Sequence, residues 1–222
     1  MNARTATVAF RDPDEIERAI PVATRQLAAH GVLAYPTETV YGLGGAINAA
    51  SVDALAGMKG RDESRPFLLL VSGRAMAESL VSRIPDYAEH LIARHWPGPL
   101  TLVLEAARAL PSGLVGRGGG VAVRWTSHGG IARLIAEHGD AITSTSANAP
   151  GGEAAQDAPT IVDRWSSDVR TGRLLVLDGG RLAPSAPSTV VDCTGPRPRL
   201  VRGGAISAAA LRESVPSLVG SH

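Results

Sequence analysis

The sequence has few of the residues that build disulfide frameworks or stack nucleic-acid bases. Cys193 is the single cysteine, which excludes an internal disulfide bond. Aromatic residues make up only 4% of the chain, so few side chains can serve as stacking platforms for bases. The formal net charge is +1, which gives no general attraction to a polyanion. Any site for phosphate groups must therefore be local.

Membrane and secretion signals are also lacking. No apolar run approaches the roughly 20 residues that a membrane-spanning helix needs, and residues 1–5 lack the apolar core of a signal peptide. The proportions of 44% hydrophobic and 19% charged residues are those of a globular protein. We therefore expect a cytoplasmic protein with no membrane-bound part.

Several familiar site motifs do not occur. There is no G-x-x-x-x-G-K-[ST] phosphate loop, and residues 42–47 fail the dinucleotide pattern because Ile47 replaces its last glycine. No G-x-S-x-G segment marks a hydrolase nucleophile. The six histidines are scattered and have no cysteine pair near them, so we expect no metal held by the protein. A nucleotide would have to bind in some other way.

One polar, glycine-rich stretch at residues 35–45 follows a short apolar run at residues 32–34, which predicts a buried strand. The strand would end where Thr37, Glu38 and Thr39 supply hydroxyl and carboxylate groups, and such strand ends commonly hold ligands. Glu38 is a candidate general base by its position; the alternative is that it bonds the backbone of the turn. We expect a turn at the glycines that follow, which allow positive φ and let the backbone approach a ligand closely; these are Gly42, Gly44 and Gly45.

Strands and helices alternate early in the chain and strands crowd late, which favours an α/β fold with one mixed sheet. Asp12 is predicted to cap the first helix, which Pro21 either kinks or divides in two. Ser51 is predicted to cap the second, and residues 106–120 and 149–159 read as loops. The predicted strands are 5–10, 32–34, 67–71, 100–105, 121–124, 141–143, 174–178, 189–192 and 200–202; the predicted helices are 12–31, 51–59, 74–81, 85–95, 131–138 and 207–215.

Cationic and hydroxyl side chains cluster near the ends of these elements. Lys59 is the only lysine among 22 lysine and arginine residues, which indicates a need for a compact ammonium group or, alternatively, chance retention. Cations together with hydroxyls suit a triphosphate ligand. The residues that could converge in this way are Lys59, Arg61 and Arg65 after a helix, Arg124 and Arg202 at strand ends, and Ser144, Ser146 and Asn148 after another strand.

Six segments occur in the order and spacing of the YrdC-like family, and the resemblance covers roughly residues 15 to 205. They are PTETVYGLG (36–44), KGR (59–61), WPGPLT (96–101), VAVR (121–124), STSAN (144–148) and STV (188–190). The resemblance implies that residues 1–222 form a single YrdC-like domain with its core at about 15–205. The implied fold is a twisted, mixed, open α/β sheet with a concave basic groove.

Members of the family that this chain resembles are L-threonylcarbamoyladenylate synthases. They join L-threonine, bicarbonate and ATP into threonylcarbamoyl-AMP and pyrophosphate, and the product feeds the threonylcarbamoylation of adenosine in tRNA. The resemblance therefore implies downstream tRNA threonylcarbamoyl transferase proteins as partners. It also implies ATP as a substrate, together with a Mg²⁺ ion held mainly by the phosphates.

The resemblance also assigns residues. Thr39, Arg124 and Ser188 would bind L-threonine, with Arg124 on its carboxylate. Lys59 and Arg61 would be catalytic by stabilising the developing pyrophosphate. The full set implied to bind ATP is Lys59, Arg61, Arg65, Ser144, Ser146, Asn148 and Arg202.

Some positions depart from the family pattern and leave the amino-acid specificity open. Leu70 stands where a polar residue is common, WTSH (125–128) replaces V-P-x-H, APGG (149–152) replaces x-S-G, and Ala154 replaces a hydroxyl residue. The alternatives are carbamoyl-adenylate chemistry on another substrate, a non-catalytic module for double-stranded RNA, and an inactive paralogue. The implied groove would also allow weak RNA binding.

Overall fold

The computed structural model describes residues 7–60, 66–107, 109–149 and 151–220. These residues form one mixed sheet, which confirms the predicted α/β class, and the predicted basic groove remains a prediction. The strands are β1 Thr7–Ala9, β2 Val32–Tyr35, β3 Gly42–Gly44, β4 Leu68–Val71, β5 Leu100–Glu105, β6 Gly120–Trp125, β7 Ile142–Ser146, β8 Leu174–Asp178, β9 Thr189–Asp192 and β10 Arg199–Arg202. Their order across the sheet is β1-β8-β2-β3-β7-β4-β6-β5-β9-β10.

The helices are α1 Pro13–Ala28, α2 Ala49–Lys59, α3 Arg74–Leu80, α4 Asp86–His95, α5 Gly129–His138, α6 Ala158–Arg164, α7 Ser166–Arg170 and α8 Ala208–Ser214. Asp12 caps α1 as predicted, because its side chain accepts a hydrogen bond from the Glu15 backbone N–H. Helix α1 continues through Pro21, so its division into two helices is wrong. None of the helices in the described ranges has the length and apolar character needed to cross a membrane.

Two features of the helices differ from the sequence prediction. Asn48, and not Ser51, caps α2: its side-chain oxygen accepts from the Ser51 backbone N–H at 2.9 Å. Helices α6 and α7 were not predicted, because seven and five residues are too few to show a helical period. Ile161 and Trp165 are nevertheless buried in the core.

Both faces of the central strands are covered. In β2, Val32 and Ala34 pack into a large cluster with residues of α2, α4 and α6, whereas Leu33 and Tyr35 face α1 and α5. Strand β8 alternates in the same way, as the pleat of a strand requires. Burial on both faces explains why these strands are continuous apolar runs in the sequence.

The glycine segment after β2 is a strand in the middle of the sheet, so the prediction of a turn at these glycines is wrong. Strand β3 pairs antiparallel with β2 and β7, and neither Gly42, Gly44 nor Gly45 has a positive φ. A Cβ atom on Gly44 would lie 1.8 Å from the Thr143 backbone oxygen and 2.7 Å from the Tyr35 hydroxyl. Glycine is needed here because Tyr35 and β7 approach the backbone closely.

Candidate active site

The polar turn between β2 and β3 is held by Thr37. Its hydroxyl donates to the Val40 backbone oxygen at 2.7 Å and accepts from the backbone N–H groups of Thr39 and Val40, each at 3.2 Å. The Glu38 carboxylate instead accepts from side chains, so the alternative that Glu38 bonds the turn backbone is wrong. Thr37 therefore fixes the backbone that presents Glu38 and Thr39.

Arg124 is a buried cation in β6, and its side chain reaches this turn. It is 4% exposed, and its Nη1 and Nη2 groups donate to Thr39 Oγ1 at 3.4 Å and Glu38 Oε2 at 3.5 Å. Both distances exceed the 2.7–2.9 Å typical of charge-assisted hydrogen bonds. The Nε group is buried and has no hydrogen-bond partner. Burial lowers the pKa of Arg124, whereas the Glu38 charge opposes that shift.

Ser188 and Arg202 lie on the other side of Arg124. The Ser188 hydroxyl is 2.9 Å from the Thr101 hydroxyl, and Arg202 Nη2 donates to the Ser188 backbone oxygen at 2.7 Å. Strands β5 and β6 are antiparallel, and Leu102 pairs with Val123. The same register places the preceding residue of β5, Thr101, beside the following residue of β6, Arg124. Burial lowers the pKa of Arg202, and the positive charge of Arg124 lowers it further.

The structure therefore brings together the three residues predicted to bind L-threonine: Thr39, Arg124 and Ser188. Arg202, predicted to bind the nucleotide, lies among them and bonds Ser188 directly. Thr101 was not singled out from the sequence, although it ends the WPGPLT segment that carried the resemblance.

Lys59 forms a second cluster with Ser146 and Asn148. It is the last residue of α2, and Gly60 ends the helix with a φ of 53°. The Lys59 ammonium donates at 2.9 Å to the Ser146 backbone oxygen and at 2.9 Å to the Asn148 side-chain oxygen. It also donates to the Asn148 backbone oxygen. The Ser146 hydroxyl donates to the Asn148 side-chain oxygen at 2.6 Å and so orients that amide.

Ser144 and Ser146 lie within β7, which extends past the predicted end at residue 143. Alternation puts both side chains on one face of the strand, and Ser144 forms a hydrogen bond with Tyr35. Burial raises the pKa of that tyrosine, and the hydrogen bond from Ser144 opposes the shift. Arg61 and Arg65 lie outside the described residues.

A cavity of about 660 Å³ lies elsewhere, where β2 and β8 begin, and Gln26, His30 and Asp53 are among its lining residues. Asp168 and Arg173 also line it, but they form an ion pair with each other at 2.7 Å. No residue of the two clusters described above lines this cavity. We therefore place the candidate site at the opposite end of β2.

Comparison with known proteins gives consistent matches. The Sua5/YciO/YrdC family model, described as telomere recombination, matches residues 25–204. A Mycobacterium leprae protein, provisionally named threonylcarbamoyl-AMP synthase, is 37% identical over 205 residues, covering 91% of this chain and 90% of its own length. The threonylcarbamoyl-AMP synthase of Thiobacillus denitrificans is 37% identical over 177 residues, covering 79% of this chain and 92% of its own.

A solved structure matches as well. The crystal structure of Pyrococcus abyssi Sua5 complexed with L-threonine aligns with a TM-score of 0.87 at 30% identity and covers 97% of this chain. The match takes in 63% of that longer chain, so this chain spans less than the whole of the Pyrococcus protein.

Proposed function

Because the chain belongs to the Sua5/YciO/YrdC family, we propose that it is a threonylcarbamoyl-AMP synthase, a nucleotidyltransferase in the pathway that modifies adenosine in tRNA. Its substrates are L-threonine, bicarbonate and ATP, and its products are threonylcarbamoyl-AMP and pyrophosphate. The observation that carries the proposal is the buried Arg124 guanidinium, whose Nε has no partner, beside the hydroxyl of Thr39. Glu38 partly neutralises this cation at 3.5 Å, and the unpartnered Nε leaves Arg124 able to bind a second anionic group, such as a substrate carboxylate.

The amino-acid side of the site fits a small carboxylate. The planar guanidinium of Arg124 matches a carboxylate in geometry, and its burial keeps the interaction from being screened by water. The hydroxyls of Thr39 and Ser188 are both buried and can donate to or accept from the substrate. We assign L-threonine to this side.

The nucleotide side is centred on Lys59. Its three protons point at oxygens of Ser146 and Asn148, so a phosphate oxygen would compete with these acceptors. We assign the triphosphate to this cluster, with Ser144 and Arg202 as further ligands. Arg61 and Arg65 follow Lys59 closely in the sequence and are proposed to complete the phosphate site.

In the proposed reaction the α-ammonium group of threonine first loses a proton to solvent. The resulting amine attacks the carbon of bicarbonate, a C–N bond forms, and water leaves. A carbamate oxygen then attacks the α-phosphorus of ATP, and the bond to the β-phosphate oxygen breaks to release pyrophosphate. The protein aligns the reactants and neutralises the developing charge, with Lys59 and Arg61 on the leaving group.

A Mg²⁺ ion would arrive with the triphosphate and add to this neutralisation. Among the described residues no three His, Cys, Asp or Glu side chains form a group that could hold a metal ion. The Ser146 hydroxyl and the nearby backbone oxygens are hard oxygen donors, the type that Mg²⁺ accepts beside phosphate. We therefore propose that the phosphates supply most of its ligands.

We further propose that the protein works in the cytoplasm and passes its product to downstream tRNA threonylcarbamoyl transferase proteins. Weak RNA binding remains part of the proposal, and its signature would be an affinity that falls as salt rises.

Mass spectrometry of the purified protein tests the proposed function. The protein is incubated with ATP, Mg²⁺ and bicarbonate, and with L-threonine, L-serine or no amino acid. We expect the mass of threonylcarbamoyl-AMP only when L-threonine is present. Pyrophosphate release without that product would instead support carbamoyl-adenylate chemistry on another substrate.

A further inference from the structure

The two oxygens of the Glu38 carboxylate have different surroundings. Oε2 accepts a hydrogen bond from the Thr126 hydroxyl at 2.7 Å and lies 3.5 Å from Arg124 Nη2. Oε1 is buried and has no hydrogen-bond partner. A buried carboxylate oxygen without a donor is costly, and a ligand that supplies a donor to Oε1 would offset this cost.

Thr126 fixes the orientation of this carboxylate. Thr126 is 1% exposed, and its hydroxyl accepts from the His128 backbone N–H at 3.2 Å. Its single proton is then donated to Glu38 Oε2. In the V-P-x-H segment that residues 125–128 resemble, a proline takes this place and could not donate such a bond.

Glu38 and Arg124 together match the charges of an α-amino acid. The guanidinium and the carboxylate lie side by side at 3.5 Å, and each keeps a buried polar atom without a partner, Arg124 Nε and Glu38 Oε1. A zwitterionic amino acid carries its carboxylate and its ammonium on one carbon atom, so it can meet both groups at once. A charge-assisted hydrogen bond to each is stronger than a neutral one.

We propose that Glu38 Oε1 binds the α-ammonium group of the amino-acid substrate, and that Thr126 is the positioning residue that holds Glu38 for this contact. The inference rests on the proposed function, because it concerns the same amino-acid site. It makes Glu38 the residue that selects α-amino acids over acids of the same shape without an amino group.

The test compares L-threonine with 3-hydroxybutyrate of matching configuration, which lacks only the α-amino group. Calorimetry in the presence of ATP and Mg²⁺ gives the affinity of the full-length protein for each ligand. The variants are Glu38→Gln, Thr126→Val and Thr126→Ser. The matched control is Glu137→Gln, an exposed carboxylate of α5 that pairs with Arg133. Thermal unfolding and ATP affinity establish that each variant is folded.

For Glu38→Gln we expect L-threonine affinity to fall by roughly tenfold to a hundredfold while 3-hydroxybutyrate affinity changes by less than about twofold. Thr126→Val should reduce the preference for L-threonine over 3-hydroxybutyrate by roughly threefold to tenfold. Thr126→Ser keeps the hydroxyl, so it should show the preference of the wild type. The control should behave as the wild type. Thr126→Val also provides a second test that keeps the charge of Glu38.

Equal weakening of both ligands by Glu38→Gln would show that Glu38 only neutralises Arg124, which would overturn the inference. Unchanged L-threonine affinity would overturn it as well. In both cases threonylcarbamoyl-AMP formation by the wild type would leave the proposed function standing. A wild type that neither binds L-threonine nor forms the adenylate would overturn both.

Discussion

The Lys59 ammonium lies 2.9 Å from the side-chain oxygen of Asn148, 89 residues further along the chain. This contact joins the end of α2 to the segment that follows β7. It places the only lysine of the protein against oxygens that a phosphate group would have to displace.

Lys59→Ala should lower turnover by roughly a hundredfold to a thousandfold, because a charge aimed at the leaving group is lost. L-Threonine affinity should change by less than about threefold, since the Lys59 ammonium bonds Ser146 and Asn148, which are assigned to the nucleotide. Steady-state assays of pyrophosphate release, with calorimetry for L-threonine, measure the two effects. Unchanged turnover in this mutant would show that Lys59 does not stabilise the leaving pyrophosphate.

Lys59→Arg tests whether a compact ammonium group is required. A planar guanidinium cannot direct three donors to the oxygens of Ser146 and Asn148 as an ammonium does, so we expect turnover to fall by roughly tenfold or more. The control is Arg170→Lys on the exposed surface of α7, which should leave turnover unchanged. Full activity of Lys59→Arg would support chance retention of the lysine.

Arg124→Lys should weaken L-threonine binding by more than roughly tenfold, because an ammonium cannot replace the two-pronged contact of a guanidinium with a carboxylate. ATP affinity should change less than L-threonine affinity, because the Lys59 cluster is intact in this variant and only Arg202 lies near Arg124. Calorimetry with each ligand gives the comparison. Equal losses for the two ligands would indicate that Arg124 supports the fold of the whole site.

Gly44→Ala should destabilise the protein by roughly 2–4 kcal/mol or prevent folding, since the new Cβ would lie 1.8 Å from the Thr143 backbone oxygen. Gly57→Ala is the matched control: it lies in α2, and a Cβ there meets nothing within 4 Å. That change should stabilise the protein by roughly 0.5–1 kcal/mol, because alanine favours the helical conformation more than glycine does. Urea unfolding of both variants measures these changes. A Gly44→Ala protein as stable as the wild type would contradict the close approach of Gly44 to the Thr143 backbone.

Burial lowers the pKa of His128, and the Glu38 charge opposes that shift. Between this lowered value and the ordinary pKa of about 6.5, the unfolded chain binds more protons than the folded protein, so stability falls as the pH falls. His128→Asn keeps a side-chain cap for α5, but asparagine does not titrate. The variant should therefore lose less stability than the wild type when the pH is lowered. Melting temperatures at about pH 7.5 and 5.5 measure the difference.

Two other histidines, His95 and His138, also have pKa values lowered by burial. They are present in both proteins, so the difference between the two melting curves isolates His128. Parallel curves would contradict a titration of His128 in this range.

Local patterns were sufficient for much of the fold. Strands β5, β8 and β9 begin and end at the predicted residues. The apolar run that forms each strand and the turn residues that end it are neighbours in the sequence, so a local pattern defines them. The glycines of β3 could not be interpreted in this way. Their role depends on Tyr35, whose hydroxyl donates to the backbone oxygen of Thr143, 108 residues away.

The candidate site shows the same division. The resemblance marked Thr39, Arg124 and Ser188, and these do lie close together. It did not mark Thr126, whose bond to Glu38 spans 88 positions of the chain and cannot be read from neighbouring residues. Such contacts depend on which strands become neighbours in the sheet, and sequence spacing does not contain that information.

The strand order has a consequence for how the protein is made. Strands β1 and β2 both pair with β8, which follows them by more than a hundred residues, and β5 pairs with β9. Pairings so distant along the chain have a high contact order and form slowly. During synthesis the first two strands must therefore wait for residues 174–178 to leave the ribosome. The proposed substrate site, in which Ser188 is assigned to L-threonine and Arg202 to ATP, is completed only when most of the chain has been translated.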